Sequence, residues 1–332
     1  MSSDIKPFNR QLVRQRRERA AAGFAATDFL HHAVADQLAD RLLDVARTFT
    51  TAADIGCRDG AMASRLLARP DIATCIQLDL APGFARQALR PRGPSLVGDE
   101  EALPLAPGVF DLITSALALH WVNDLPGALI QIRCALKPDG FFLAAMAGGE
   151  SLFELRTALQ EAEARCHGGL SPRVSPMTDV RDLGGLLQRA GLALPVVDSD
   201  TIEVTYDTPF KLMRDLRLMG ETNAVAARRR APPGKAFWAT VDQIYRDRYA
   251  LPGGRVLASF DILYMAGWAP AATQQQPLAP GSARHRLADA LHTQEQVLPD
   301  IVAAPKQRYK KKGGGRGDLK SLRPYADRRH RQ

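Results

Sequence analysis

The sequence predicts an α/β protein in which a mostly parallel β-sheet carries helices on both faces. Short apolar runs alternate with segments of helical periodicity from residue 51 to residue 147. This alternation is typical of strand-helix-strand units, which pair their strands in parallel. The 332 residues are 45% hydrophobic and 24% charged. That composition indicates a globular chain and excludes collagenous, disulfide-rich and wholly disordered classes.

The first half of the chain predicts five strands. A helix over residues 28–47, with apolar side chains at helical spacing, precedes them. The strands are expected at 51–57, 74–80, 95–99, 109–116 and 141–147, and helices near 61–69, 83–89 and 126–136. The last helix has Pro126 in its first turn and stops at the Lys-Pro-Asp-Gly of residues 137–140. A strand is expected directly after that stop.

The second half predicts a helical insertion and two more strands. Ser151 and Glu154 have the spacing of a capping box, which predicts a helix start there. Further helices are expected at 179–190, 209–219 and 235–249, with a short helical pattern at 283–291. The extended runs are 195–206 and 256–268. The second of these runs is expected to return as an edge hairpin partner.

Composition along the chain predicts three regions. They are a basic segment with a helical cap (1–49), a main domain (50–270, with helical insertions at about 151–190 and 209–250) and a flexible basic tail (271–332). The net charge is +8, and residues 306–332 contribute 11 Lys and Arg against 2 Asp. This tail could contact an acidic partner or an anionic surface, or act as a solubilising extension. It has no specific nucleic-acid motif.

The cysteines, histidines and apolar runs exclude several other classes. The four cysteines have no CxxC spacing and the seven histidines no HExxH, so no metal site is predicted. Reduced, mostly buried thiols are expected. The first twenty residues lack the apolar stretch of a secretory signal, and no transmembrane segment is predicted. From these exclusions the sequence predicts a cytoplasmic protein.

Three acidic residues mark a candidate binding site. Asp54 precedes a glycine-containing turn from strand to helix, and Asp79 and Asp99 end the next two strands. The carboxyl ends of parallel strands face one crevice, so the three carboxylates are expected to converge there. Gly56 and Gly60 have GxxxG spacing, which differs from the GxGxxG of dinucleotide-binding loops. Aspartates that merely cap turns are the alternative.

Several motifs resemble those of known families. The stretches ADIGCRDG, IQLDL, GDEEALPL, FDLITSALALHWVND and ALKPDGFFLAAM resemble the successive motifs of class I S-adenosylmethionine-dependent methyltransferases. The stretches GGESLFELRTALQEAEARCHGGLSP, MGETNA and ILYMAGWAP resemble a family of mitochondrial complex I assembly factors, described as hydroxylating an arginine of a complex I subunit. Residues 50–147 are similar, more distantly, to the methyltransferases that esterify malonyl carrier protein in biotin synthesis.

The resemblance implies a Rossmann-like, seven-stranded, mostly parallel sheet with one antiparallel strand, an N-terminal helical cap and a helical lid. It implies S-adenosylmethionine as cofactor and a protein substrate, for which a complex I subunit is the candidate. The family's cofactor contacts, carried over position by position, are Asp54, Gly56, Gly60, Asp79, Leu80, Asp99, Glu100, Ala116 and Leu117. The chain departs from the family where the middle glycine of the first motif is Arg58. Its side chain is expected to obstruct the cofactor or to point outward.

Candidates for the reacting site follow the fourth and fifth strands. They are His120, Trp121, Glu150, Glu154 and Arg156, with Asn223 as a further candidate. Trp121 could hold a guanidinium by cation–π attraction, and a carboxylate of the lid could pair with it. The alternatives are that Trp121 packs in the core and that the charges of the lid are solvated. Three functions therefore stay open: modification of an arginine by hydroxylation or methylation, O-methylation of a carboxylate, and assembly without turnover.

Overall fold

The computed structural model describes residues 6–89, 93–274, 282 and 285–294. It divides into two compact units, residues 1–275 and 276–332. In the second unit the described residues contain one short helix, Leu287–Ala290. Of the predicted basic tail (271–332), residues 275–281, 283–284 and 295–332 lie outside the described residues. The sections below concern the first unit.

Seven strands form one sheet. They are β1 (Thr51–Ile55), β2 (Thr74–Asp79), β3 (Ser95–Val97), β4 (Phe110–Ala116), β5 (Leu136–Ala147), β6 (Ala193–Tyr206) and β7 (Val256–Trp268). Their order is β3-β2-β1-β4-β5-β7-β6. β7 is antiparallel to both of its neighbours, and the other pairs are parallel. The predicted seven-stranded, mostly parallel α/β sheet is confirmed.

Nine helices surround this sheet among the described residues of the first unit. They are α1 (Arg10–Ala21), α2 (Phe29–Arg41), α3 (Ala61–Leu67), α4 (Pro82–Ala88), α5 (Leu125–Ala135), α6 (Phe153–His167), α7 (Val180–Arg189), α8 (Pro209–Leu218) and α9 (Lys235–Tyr249). Buried aliphatic and aromatic side chains pack on both faces of the sheet. Each of these helices is too short or too polar to cross a bilayer.

Three local predictions are wrong. β7 lies inside the sheet and β6 is the edge, because β7 pairs with β5 along seven residues. β5 begins at Leu136, before the expected stop, since Leu136 already pairs with Phe110. Ser151 and Glu154 form no capping box: Leu152 is the N-cap of α6 with a left-handed φ of 55°, and the Ser151 hydroxyl donates to a backbone carbonyl in β7.

Helix α1 was not predicted as a separate element. Its sequence is rich in arginine, so its apolar periodicity is weak. Its N-cap is Asn9, whose side chain accepts a hydrogen bond from the backbone N–H of Leu12. Phe8, just before it, forms an antiparallel bridge with Val225. The start of the described chain is therefore held against the segment that follows α8.

The four cysteines are free thiols, as expected, but only two are buried. Cys57 and Cys75 are buried, whereas Cys134 and Cys166 are exposed. The prediction of mostly buried thiols therefore holds for half of them.

Candidate functional site

The loop from β1 to α3 contains two predicted site residues, Gly56 and Gly60, and Arg58 lies between them. Gly56 has a φ of +74°, and a Cβ there would lie 2.1 Å from the Cβ of Ala118. Only glycine therefore permits this loop to approach the segment after β4. Gly60 is the N-cap of α3 with a φ of +86°. Arg58 has a φ of 50° despite its Cβ, and its side chain points inward, only 2% exposed.

Asp79, at the end of β2, holds the same loop. It is fully buried. Its Oδ2 accepts a hydrogen bond from the backbone N–H of Arg58 at 3.2 Å, and its Oδ1 accepts one from Ala81 at 2.8 Å. Burial raises the pKa of Asp79, an effect that the nearby guanidinium groups of Arg17 and Arg58 oppose. The carboxylate thus joins the first loop to the turn after β2.

Asp54 is buried with half of its carboxylate unpaired. The hydroxyl of Thr114 donates to Asp54 Oδ1 at 3.0 Å. Its Oδ2 has no hydrogen-bond partner among the described residues. Burial is the main cause that raises the pKa of Asp54 to about 7. A cationic group placed at this oxygen would stabilise the charged carboxylate.

Arginines of α1 bind the acids that follow β3. Arg10 donates to the carboxylates of Asp99 and Glu100. Arg17 donates to Glu100 Oε1 at 2.5 Å, and both of these side chains are fully buried. Burial alone would raise the pKa of Glu100, but Arg17 and Arg10 lower it to about 2. Glu100 is therefore an ionised carboxylate between two guanidinium groups.

Glu221, whose side chain is 15% exposed, is the centre of a second network. Arg58 Nη2 donates to its Oε1 at 2.5 Å, and Trp121 Nε1 donates to its Oε2 at 2.5 Å. His120 Nε2 lies 3.0 Å from Oε2. Burial opposes ionisation of Glu221, but His120 and Arg58 lower its pKa well below the usual range. This network links the first loop to the segment after β4 and to the segment after α8.

A cavity of about 260 Å³ adjoins Glu221. Most of its wall is apolar, and leucine, methionine and aromatic side chains of α6, α8, α9 and β7 contribute to it. Glu221 is the only carboxylate among the described lining residues, and His31, His120 and Trp121 lie near it. Arg173 and Arg217 also line the cavity. It can take a side chain with an apolar stem and a polar tip.

The structure separates the predicted reacting residues into two groups. His120, Trp121 and Asn223 line the cavity, as does Leu117 from the predicted cofactor set. Glu150 is exposed and does not line it. Glu154 is buried, and its carboxylate accepts hydrogen bonds from the hydroxyl and backbone N–H of Ser259.

The remaining predicted residues have structural contacts. Arg156 donates to the backbone carbonyls of Gly149 and Ser151. Leu80 packs with Phe8 and Trp121, and Ala116 lies beside the first loop. Glu154 and Arg156 therefore hold the start of α6, and neither of them lines the cavity.

The sequence alone missed three site residues. Arg17 is buried and Glu221 is partly buried, but the ion-pair partner of each is distant in sequence, so no local pattern connects them. His31 lies in a helix, where it is buried, whereas the next residue, His32, is partly exposed. A histidine at an inward position of a helix was the one available signal.

A group of possible metal ligands does occur among the described residues. Asp28, His32 and Asp59 place their ligand atoms within 4.8 Å of one another. All three side chains are partly exposed, and His32 Nε2 lies 3.0 Å from Asp59 Oδ2. His32 Nε2 also lies 3.6 Å from Asp28 Oδ2, so the imidazole lies between the two carboxylates.

Comparison with known proteins gives consistent relatives. Residues 53–144 match the family described as "Methyltransferase domain". The chain is 40% identical over 286 residues to the arginine-hydroxylase NDUFAF5, mitochondrial, of Danio rerio, covering 85% of this chain and 88% of that protein. It is 35% identical over 282 residues to the malonyl-[acyl-carrier protein] O-methyltransferase of Laribacter hongkongensis, covering 81% and 92%.

A solved structure shares the fold. The YcgJ protein of Bacillus subtilis aligns with a TM-score of 0.51 at 16% identity, covering 71% of this chain and 100% of that one.

The cytoplasmic prediction is wrong by these comparisons. The arginine-hydroxylase relatives of Danio rerio, Homo sapiens and Mus musculus are all named as mitochondrial proteins and not as cytoplasmic ones. The cytoplasmic prediction depends on excluding a secretory signal and a membrane span from the sequence. Neither exclusion separates the cytoplasm from a mitochondrion, because transit peptides are amphipathic and lack a long apolar run.

Proposed function

Because this chain belongs to the class I methyltransferase family that includes the arginine-hydroxylase NDUFAF5 and the malonyl-[acyl-carrier protein] O-methyltransferases, we propose that it modifies an arginine side chain of a protein substrate in assembly of respiratory complex I. The observation that carries this proposal is Glu221. It is the only carboxylate of the described cavity wall, and it already binds a guanidinium, that of Arg58. Carboxylates are the usual partners of guanidinium groups. The hydrogen bond from Arg58 uses one of the two acceptor sites of Oε1, so a substrate guanidinium can donate to the other.

S-adenosylmethionine is the cofactor of this enzyme family, and the residues of the first loop fit it. Asp54 Oδ2, Arg58 Nε and Arg58 Nη1 are buried and have no partner within the part of the chain that the structure describes. A carboxylate oxygen and guanidinium N–H groups suit the ammonium and carboxylate of the cofactor's methionine part. When bound, the cofactor supplies a methyl group on an electrophilic sulfonium.

The chain's own residues provide binding and orientation. Trp121 and His120 hold Glu221 on the side opposite Arg58, so the direction of its carboxylate is fixed. The apolar wall excludes water from the stem of a substrate side chain. A fixed carboxylate and a dry wall restrict the substrate to few orientations, which is a large part of the rate advantage of an enzyme.

The affinity for the cofactor is expected to rise with pH around 7. The pKa of Asp54 is about 7, so the carboxylate becomes charged as pH rises through that value. A charged Asp54 attracts the cofactor's ammonium, whereas the protonated form does not. Calorimetric titration with S-adenosylhomocysteine at pH 6 and pH 8 should show tighter binding at pH 8.

Asp54→Asn is the control for this titration. It removes the ionisable group and keeps the size of the side chain, so its affinity should be weaker and nearly the same at the two pH values. An equal pH dependence in the variant would contradict the assignment to Asp54.

Product mass tests the proposed function. The protein is incubated with S-adenosylmethionine, dioxygen, a reductant and arginine-containing peptides of complex I subunits. A gain of about 16 Da identifies hydroxylation and a gain of about 14 Da methylation, and Arg→Lys peptides should gain neither. Binding of these peptides without any mass change would support an assembly factor without turnover and would overturn the enzymatic proposal.

A second candidate function is O-methylation of a carboxylate. Arg173 and Arg217 line the cavity, and its apolar wall suits an acyl chain. The relative from Laribacter hongkongensis is named for this reaction. A malonyl thioester that gains about 14 Da as a base-labile ester, with no gain on arginine peptides, would favour this function over the first.

A further inference from the structure

His31 of α2 is a buried histidine without a partner. Its residue exposure is 3%, and neither Nδ1 nor Nε2 has a hydrogen-bond partner among the described residues. Its ring packs edge-on against Phe24, with the ring centroids 5.1 Å apart. A buried imidazole with two unpaired nitrogens costs free energy unless something binds to it.

His31 lies in the walls of two adjacent spaces. It lines the 260 Å³ cavity together with Glu221, His120 and Trp121. It also lines a small pocket of about 10 Å³ at the first loop, together with Asp54, Gly56 and Arg58. The residues proposed for the cofactor's methionine part and those proposed for the substrate therefore meet at this one side chain.

The surroundings keep the imidazole neutral. Burial lowers the pKa of His31 well below its ordinary value, and the positive charge of Arg58 lowers it further. Glu221 opposes this shift, while His120 and Arg17 add to it. A neutral imidazole has one N–H donor and one acceptor nitrogen. It can therefore donate to a carboxylate and accept from a cation at the same time.

We propose that His31 is a binding residue shared by two ligands: one ring nitrogen donates to the carboxylate of the cofactor at the first loop, and the other accepts from the guanidinium of the substrate in the cavity. The substrate half of this inference rests on the proposed function, and the cofactor half does not. Because each ligand fixes the tautomer that the other needs, the two should bind cooperatively.

Calorimetry on four proteins tests the inference. The wild type is compared with His31→Phe, His31→Gln and His167→Phe, using S-adenosylhomocysteine, an arginine peptide, and each in the presence of the other. His31→Phe keeps a ring against Phe24 and removes both nitrogens. This variant is expected to bind each ligand with about tenfold lower affinity and to show no cooperativity between them. His31→Gln keeps a donor and an acceptor and should recover part of the loss.

His167→Phe is the matched control. His167 also packs against a phenylalanine, Phe237, and has an unpartnered buried Nδ1, but it does not line the cavity. Both affinities should stay unchanged in this variant. The unfolding temperature of His31→Phe should equal or exceed that of the wild type, because an unsatisfied polar ring is replaced by an apolar one. A merely structural histidine would show the opposite, a loss of stability.

The outcomes separate this inference from the proposed function. Unchanged affinity of His31→Phe for S-adenosylhomocysteine, or weakening of only one of two ligands that the wild type binds, overturns the shared role. If the wild type binds S-adenosylhomocysteine but no arginine peptide, the arginine function fails. In that case the titration with S-adenosylhomocysteine still tests whether His31 binds the cofactor. The ¹⁵N resonances of its ring should shift on addition of S-adenosylhomocysteine alone.

Discussion

Replacing Glu100 by glutamine is expected to lower the free energy of unfolding by about 3 to 5 kcal/mol. The Glu100 and Arg17 side chains are both fully buried, and their nearest atoms lie 2.5 Å apart. The variant keeps the size of the side chain but leaves the Arg17 charge without its carboxylate. Removing one partner of a buried pair costs far more than removing an exposed pair, which costs about 1 kcal/mol or less.

Urea unfolding of three variants measures this effect. The double variant Glu100→Gln with Arg17→Met should recover much of the lost stability, since it removes the unpaired charge. Asp111→Asn breaks the more exposed pair with Lys137 and should have a small effect. A loss below about 1 kcal/mol for Glu100→Gln would contradict the buried ion pair.

The pH dependence gives an independent check. The pKa of Glu100 is about 2 in the folded protein, below its value of about 4.5 in an unfolded chain. Its stabilising contribution is therefore fully present above pH 4.5 and is lost as pH falls toward 2. Wild-type stability should decrease more steeply than that of Glu100→Gln over this interval.

Asp79→Ala is expected to weaken binding of S-adenosylmethionine at least thirtyfold, which corresponds to about 2 to 3 kcal/mol. Asp79 ends β2 beside the first loop, and we propose that its carboxylate accepts hydrogen bonds from the ribose hydroxyls of the cofactor. It also accepts hydrogen bonds from the backbone of Arg58 and Ala81, so its loss loosens the loop as well. Both effects reduce the affinity.

Asp111→Ala is the matched control for Asp79→Ala. Asp111 also accepts backbone hydrogen bonds, from Thr50 and Thr51, but it lies near the start of β4, at the opposite end of the sheet. Its removal should lower the free energy of unfolding and leave the affinity for the cofactor unchanged. If a folded Asp79→Ala protein binds the cofactor like the wild type, Asp79 has no place in the site.

The sequence predicted those features that depend on local periodicity. The strands β1 to β4 were located within two residues at either end, since apolar runs and turn residues adjoin there. The loop at Gly56 and Gly60 and the buried acids Asp54 and Asp79 were found because parallel strands bring their carboxyl ends together. The strand pair β6 and β7 was found, but its order was not, because spacing does not determine which strand is the edge.

The rest of the site depends on contacts between distant segments. Arg17 and Glu100 are 83 residues apart, and Arg58 and Glu221 are 163 residues apart. No local pattern relates them, and a run of arginines in α1 looks like a solvated basic segment until its partners are known. The inward direction of Arg58 was one of two alternatives that the sequence left open, and its partner Glu221 decides between them.

Burial of the acids and arginines around the first loop has a consequence for the rates of binding. Asp79, Glu100 and Arg17 have no solvent exposure, and the pocket at the first loop has room for about one water molecule. A ligand the size of S-adenosylmethionine can reach Asp79 only after side chains such as Arg58 have swung aside. Association then includes a unimolecular opening step, whose rate does not increase with ligand concentration. Dissociation requires the same opening, so slow arrival and long residence times have a common origin.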